Sequence, residues 1–232
     1  MNAVASSLAA VVVAAGTSRR FGADKLFVPL DGQPVLGWSL LALEATPCVR
    51  SIALVLSEEN LSRGQDLVKR LGLDKVSVVL TGGARRQDSV WRGIEASVGA
   101  AWVAIHDGAR PFLTPEMVEV GFATARDVGG AVAAVPVKDT IKVVGEGQLV
   151  ERTPPRTRLW AAQTPQIFSY PLLVDAYRHN AGADVTDDAE LFERAGQPVA
   201  IYPGSYENLK ITTPEDLALA RAIARTRRGG TG

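Results

Sequence analysis

The chain has 232 residues, and its 25 Lys plus Arg are balanced by 25 Asp plus Glu, for a formal net charge of zero. With 47% hydrophobic and 22% charged residues it has the composition of a globular chain with a real core, not of a disordered one. The neutral balance argues against nucleic-acid binding through bulk charge. A single cysteine, Cys48, and two histidines, His106 and His179, exclude an intrachain disulfide and a Cys/His zinc cluster.

The apolar opening from Ala3 to Ala15 has no Lys or Arg before it and is shorter than the ~20 residues of a membrane span, so it is expected to be a first strand. Neither a signal peptide nor membrane association is expected, and the lone cysteine suits a reducing, cytoplasmic setting. Short β-branched runs recur at Leu8–Ala14, Ser51–Leu56, Val76–Leu80, Trp102–His106 and Ala131–Val137. Between them, helical spacing marks Val35–Leu43, Leu61–Leu71, Asp88–Ser97 and Pro115–Ala125. Strands alternating with helices predict α/β architecture with a doubly wound, mostly parallel sheet. Thr114-Pro115-Glu116 and Thr213-Pro214-Glu215 are both helix starts, with a Thr cap, a Pro in the first turn and an early acid.

The alternation breaks after Asp139. Ile141–Val144 and Gln148–Arg152, joined by Gly145-Glu146-Gly147, read as a hairpin with no helix to bury it, followed by Thr153-Pro154-Pro155-Arg156. The expected organisation is one domain over residues 1–226, with 139–164 as a β-arm that needs something else to pack on, such as a second copy of the chain. Residues 227–232 are expected to be a flexible, frayed tail.

Four segments could carry chemistry. Strand one runs into Ala14-Ala15-Gly16, followed by Arg20 and Lys25: small residues let backbone N–H groups approach a phosphate, and the two cations stand close by. The segment is neither a Walker A loop nor a GxGxxG fingerprint. Gly82-Gly83-Ala84-Arg85-Arg86-Gln87-Asp88-Ser89 is a second glycine turn into a helix. In His106-Asp107-Gly108-Ala109-Arg110-Pro111 the Asp could hold a hard cation such as Mg²⁺, and Arg110 could pair with a phosphate or with Asp107 itself. His106 reads as a packed strand residue. Glu207-Asn208-Leu209-Lys210-Ile211 puts a lysine in an apolar strand, where it needs an anion. The acids of Asp184-Val185-Thr186-Asp187-Asp188 suit a helix start through the helix dipole alone. Several cations around one carboxylate, with no nucleophile–base pair, point to phosphoryl or nucleotidyl transfer.

These segments, with Val137-Lys138-Asp139-Thr140, Ala162-Gln163-Thr164-Pro165-Gln166, Thr186-Asp187-Asp188-Ala189 and Asn208-Leu209-Lys210, together resemble the 2-C-methyl-D-erythritol 4-phosphate cytidylyltransferase family. The motifs stand in the family's order across residues 8 to 222. The resemblance implies a Rossmann-like nucleotidyltransferase fold with a protruding dimerisation arm. It also implies a cytoplasmic homodimer of the non-mevalonate isoprenoid pathway that joins CTP to methylerythritol phosphate with Mg²⁺ and releases pyrophosphate. By motif position, Arg20 and Lys25 would stabilise the transition state. Ala14, Ala15, Gly16, Gly83, Ala84, Arg86 and Ser89 would hold the nucleotide. Asp107 would help place Mg²⁺, while Arg110, Lys210 and Thr164 would meet the acceptor. Thr140 and Arg156 would reach into the partner's site. Ser18 stands where the family often has Gly, and Asp24-Lys25-Leu26 where it often has Pro-Lys-Gln. Ribitol 5-phosphate cytidylyltransferase, a different nucleotidyltransferase, and a non-catalytic nucleotide-binding dimer are the competing readings.

Overall fold

The computed structural model describes residues 7–16, 24–180 and 182–229. Its strands are β1 (Leu8–Ala14), β2 (Pro29–Leu30), β3 (Gln33–Pro34), β4 (Val49–Leu56), β5 (Val76–Thr81), β6 (Trp102–Asp107), β7 (Gly130–Pro136), β8 (Val143–Val144), β9 (Val150–Arg152), β10 (Trp160–Ser169) and β11 (Ala200–Pro203). The helices are α1 (Val35–Ala45), α2 (Leu61–Leu71), α3 (Arg86–Glu95), α4 (Pro115–Val128), α5 (Tyr170–His179), α6 (Asp188–Arg194) and α7 (Pro214–Gly229).

Seven strands form one sheet in the order β11-β7-β10-β6-β1-β4-β5. All its neighbours pair in parallel except β10, which runs antiparallel to β6 and β7. The sheet is covered on both faces, which is why its central strands read as continuous apolar runs. Along β1, Leu8, Ala10, Val12 and Ala14 pack with α1, α2 and α4, whereas Val11 packs with α3, α5 and α6. A third cluster seats α7 on Leu30, Val35 and Phe112.

The chain moves outward from β1 through β4 to β5, then returns to β6 on the other side of β1. The crevice beyond the carboxyl ends of β1 and β6 therefore lies at a topological switch point, where open α/β sheets bind their ligands. No helix among the described residues is long and apolar enough to cross a membrane.

Three expectations need correction. The arm does not extend to residue 164: Trp160, Ala161 and Ala162 pair with Pro136, Val135 and Ala134 in the central sheet. The ladder to β7 breaks between Ala162 and Gln166, a break that accommodates Pro165, which has no N–H to donate. The hairpin itself is shorter than expected, pairing only Val143 with Arg152 and Val144 with Val150. Nor does a frayed tail begin at 227. Helix α7 continues through Gly229, and the Arg227 guanidinium pairs with Glu207 at 2.9 Å and lies 4.9 Å from the centre of the Phe112 ring.

Candidate active site

A cavity of about 380 Å³ opens beyond the carboxyl ends of β1, β5 and β6. Its walls include Ala15, Gly16, Lys25, Gly83, Ala84, Arg86, Ser89, Asp107 and Lys210, all named by the sequence, together with Val13, Leu26, Arg85, Ala109 and Thr212. Ala14 is buried in the sheet just below. Arg20 and Ser18 lie outside the described residues.

The turn from β5 into α3 is built by close approach. A Cβ on Gly82 would meet the side chains of Ala15 and Ser89, and one on Gly83 would meet Asp88. The Ser89 hydroxyl accepts from Gly83 N at 3.0 Å and donates to the Arg85 carbonyl at 3.1 Å, locking the loop. The two adjacent arginines diverge. Arg85 folds back on Asp88, with Nη2 2.7 Å from Oδ1. Arg86 reaches inward, with Nε 3.2 Å from Asp107 Oδ1 and Nη1 2.9 Å from Asp188 Oδ2. Burial opposes the Arg86 charge, but Asp188 and Asp107 together hold its pKa above the usual guanidinium range.

Asp107 ends β6 at the centre of the cluster. Lys210 Nζ lies 2.8 Å from its Oδ2, and Arg110 Nε stands 3.9 Å from the same oxygen. Burial works against this carboxylate, yet Arg86 and Lys210 keep its pKa well below the ordinary carboxylate range, so it stays ionised. Arg110 is mainly an anchor: Nη1 donates to the Asn208 carbonyl at 2.7 Å, while its buried Nε has no hydrogen-bond partner.

Beneath Asp107 the polar groups are satisfied in a chain. Thr164 Oγ1 accepts from Asp107 N at 3.0 Å and stands 3.1 Å from His106 Nδ1. His106 Nε2 faces the Arg110 carbonyl at 3.2 Å, so Nε2 carries the proton and Nδ1 accepts from the threonine. Burial pushes the His106 pKa down to about 4, in keeping with a neutral ring that packs rather than catalyses. Thr164 thus supports Asp107 from below.

Lys210 is not in a strand. It sits in an irregular loop that crosses from the edge strand β11 back to β6. Backbone and side chains stitch this path: Gly204 N donates to the Ala134 carbonyl at 2.8 Å, Asn208 Nδ2 to the Thr164 carbonyl at 2.9 Å, and Ile211 N to the Ala109 carbonyl at 2.9 Å. The anion that the sequence reading required for Lys210 is Asp107.

Thr140 and Arg156 do not line this cavity. Arg156 Nη1 donates to the Lys138 carbonyl at 2.6 Å, and Lys138 Nζ sits 3.6 Å from the centre of the Tyr206 ring, so the arm is moored at its base. Asp188, Tyr177 and Thr212 were missed as parts of the site. Asp188 stands in one of the motifs that carry the resemblance, but only the fold brings it to Arg86; Thr212 bonds the nearby Asp216, a helix-start pattern that does not mark the cavity.

A doubly wound fold that brings Arg86, Lys210 and Arg110 to one carboxylate at its switch point, beside a cavity also lined by Lys25, defines a nucleotidyltransferase-type site. The chain belongs to the 2-C-methyl-D-erythritol 4-phosphate cytidylyltransferase family, whose model matches residues 8–226. A protein of that name from Dehalococcoides mccartyi is 48% identical over 217 residues, covering 93% of this chain and 95% of its own. Another from Pelotomaculum thermopropionicum is 45% identical over 229 residues, 96% of each chain. The crystal structure of 4-diphosphocytidyl-2C-methyl-D-erythritol synthase from Anaerococcus prevotii superposes with a TM-score of 0.85 at 27% identity, covering 95% of this chain and 99% of that one. The Thermus thermophilus 2-C-methyl-D-erythritol 4-phosphate cytidylyltransferase gives 0.76 at 33% identity, covering 94% and 99%.

Proposed function

We propose that this chain transfers the cytidylyl group of CTP to 2-C-methyl-D-erythritol 4-phosphate, giving 4-diphosphocytidyl-2-C-methyl-D-erythritol and pyrophosphate in the non-mevalonate isoprenoid pathway. The observation that carries the reading is the convergence of Arg86 and Lys210 on Asp107 in a cavity also lined by Lys25. A phosphate oxygen of the acceptor attacks the α-phosphorus of CTP in line, and the bond from that phosphorus to the β-bridging oxygen breaks. No protein nucleophile takes part. Catalysis then rests on holding two anionic substrates together and neutralising the charge that shifts onto pyrophosphate.

Lys25 and Arg20 take the transition-state and leaving-group charge. Ala14, Ala15, Gly16, Gly83, Ala84, Arg86 and Ser89 form the nucleotide side and Lys210 the acceptor side, while Thr164 and Arg110, which do not line the cavity, brace Asp107 and the Lys210 loop behind it. Asp107 orients both cations that reach it before substrate arrives. For magnesium the donor chemistry fits: a hard cation carried by a triphosphate takes one or two carboxylates plus phosphate oxygens and water. Asp107 would hold it, and the bound ion would supply charge neutralisation on the phosphates.

The chain acts as a homodimer in the cytoplasm. Val144, Leu149 and Val150 leave apolar surface exposed on the arm, and a two-stranded ribbon is marginal alone, so a second copy is its natural cover. Thr140 and Arg156 would then complete the partner's site. Offering CTP, ATP, GTP and UTP separately with methylerythritol phosphate, and weighing the products, tests the reading. A cytidine diphospho-alcohol formed from CTP alone supports it; equal use of the purine nucleotides contradicts it.

A further inference from the structure

Asp188 does not line the cavity, yet a buried chain of contacts joins it to the site. It is 1% exposed. Its Oδ2 lies 2.9 Å from Arg86 Nη1, and its Oδ1 accepts from the Tyr177 hydroxyl at 2.5 Å. The Tyr177 ring in turn stacks on Trp91, with centroids 5.4 Å apart, and Trp91 belongs to the helix that begins with Arg86.

The helix dipole does not account for this placement. Asp187 already caps α6, with its side chain accepting from Glu190 N at 3.0 Å. A buried carboxylate is costly unless an opposite charge and hydrogen bonds compensate it, and Arg86 and Tyr177 supply those. Arg86 gains in return. Its long side chain is pinned between two carboxylates, so little conformational freedom remains to be lost when an anionic ligand arrives.

We infer that Asp188, steadied by Tyr177, is a positioning residue that sets the Arg86 guanidinium for the nucleotide. It also divides the attention of Arg86. Without Asp188, the nearest carboxylate to Arg86 is Asp107, and a guanidinium drawn fully there competes with Lys210. The inference rests on the assignment of Arg86 to the nucleotide, and the test separates the two.

The full chain is compared as wild type, Arg86→Gln, Asp188→Asn, the double variant and Tyr177→Phe. Equilibrium CTP binding, KM for CTP, kcat and Tm are measured for each. Arg86→Gln and Asp188→Asn should each weaken CTP binding about 10- to 100-fold, the range typical of losing the outer partner of a ligand-binding group. KM for CTP should rise more than kcat falls, the double variant should be no worse than Arg86→Gln, and Tyr177→Phe should show a smaller change in the same direction. A purely structural Asp188 would lower Tm while leaving CTP binding unchanged, or would add its effect to that of Arg86→Gln; either result overturns the inference. If Arg86→Gln binds CTP normally, the Arg86 assignment fails and the inference falls with it. Should Asp188→Asn alone not fold, Tyr177→Phe decides, because it removes the hydrogen bond that steadies Asp188 and keeps both charges. Weaker CTP binding in Tyr177→Phe supports the inference, and CTP binding equal to wild type overturns it.

Discussion

Lys210, in the loop after β11, meets Asp107 at the end of β6, with Nζ 2.8 Å from Oδ2. The lysine is 38% exposed, whereas the carboxylate is 9% exposed and also holds Arg86, so the pair faces the cavity from a rigid floor. Lys210→Ala should lower kcat/KM about 10²- to 10³-fold, with KM for the acceptor rising. Thermal unfolding should show a stability change of no more than about 1 kcal/mol, because one partner is half-exposed. A large loss of stability with near-normal kcat/KM would show a structural lysine instead.

Lys25 enters the cavity from a single 3₁₀ turn, Lys25–Phe27, that Asp24 caps by accepting from Leu26 N. Lys25→Ala should cost ~3–4 kcal/mol of transition-state stabilisation, a factor of about 10²–10³ in kcat, with the fold intact. Arg20→Ala should behave alike. Rapid-quench turnover checks both, and rates near wild type in the two variants would remove them from the mechanism.

His106 sets a pH dependence of stability. Its folded pKa is about 4 against 6.5 in the unfolded chain, because burial disfavours the charged ring. The unfolded state therefore binds the extra proton first, and this residue's contribution to stability is lost as pH falls from 6.5 toward 4. The span corresponds to about 3 kcal/mol. Urea unfolding should show this decline in the wild type and a flatter profile in His106→Gln across the same window. Parallel profiles would assign the slope to other groups.

The proposed sharing of a site between subunits makes the arm testable by mixing. Subunits carrying Arg156→Ala and subunits carrying Lys210→Ala should each be nearly inactive, and verified heterodimers should regain activity, because one of the two sites recovers both groups. Heterodimers without recovery would place Arg156 and Lys210 in the same subunit's site, or outside it.

Much of the frame is legible from local pattern. β1 and α2 lie at their expected ends, and β4 to β7 with α1, α3 and α4 differ from expectation by only a few residues, whereas the two-residue strands β2 and β3 are not among the expected elements. β10 escapes because Gln163, Thr164 and Pro165 interrupt its apolar pattern, and a proline ordinarily argues against an inner strand. The lysine motif is legible as a functional lysine but not as a loop. Its backbone partners, such as Ala109 and Thr164, are brought in by the fold. Asp188 shows the same limit: an acid at a helix start has a sufficient local explanation, so only the three-dimensional contact with Arg86 reveals another role. The same contacts distinguish Arg86 from Arg85, which sequence spacing alone does not.

The most direct test of the central claim is pyrophosphate release with CTP and Mg²⁺, comparing kcat/KM for 2-C-methyl-D-erythritol 4-phosphate and ribitol 5-phosphate in parallel. The account predicts a clear preference for methylerythritol phosphate. Preference for ribitol phosphate, or no turnover with either acceptor, would contradict it.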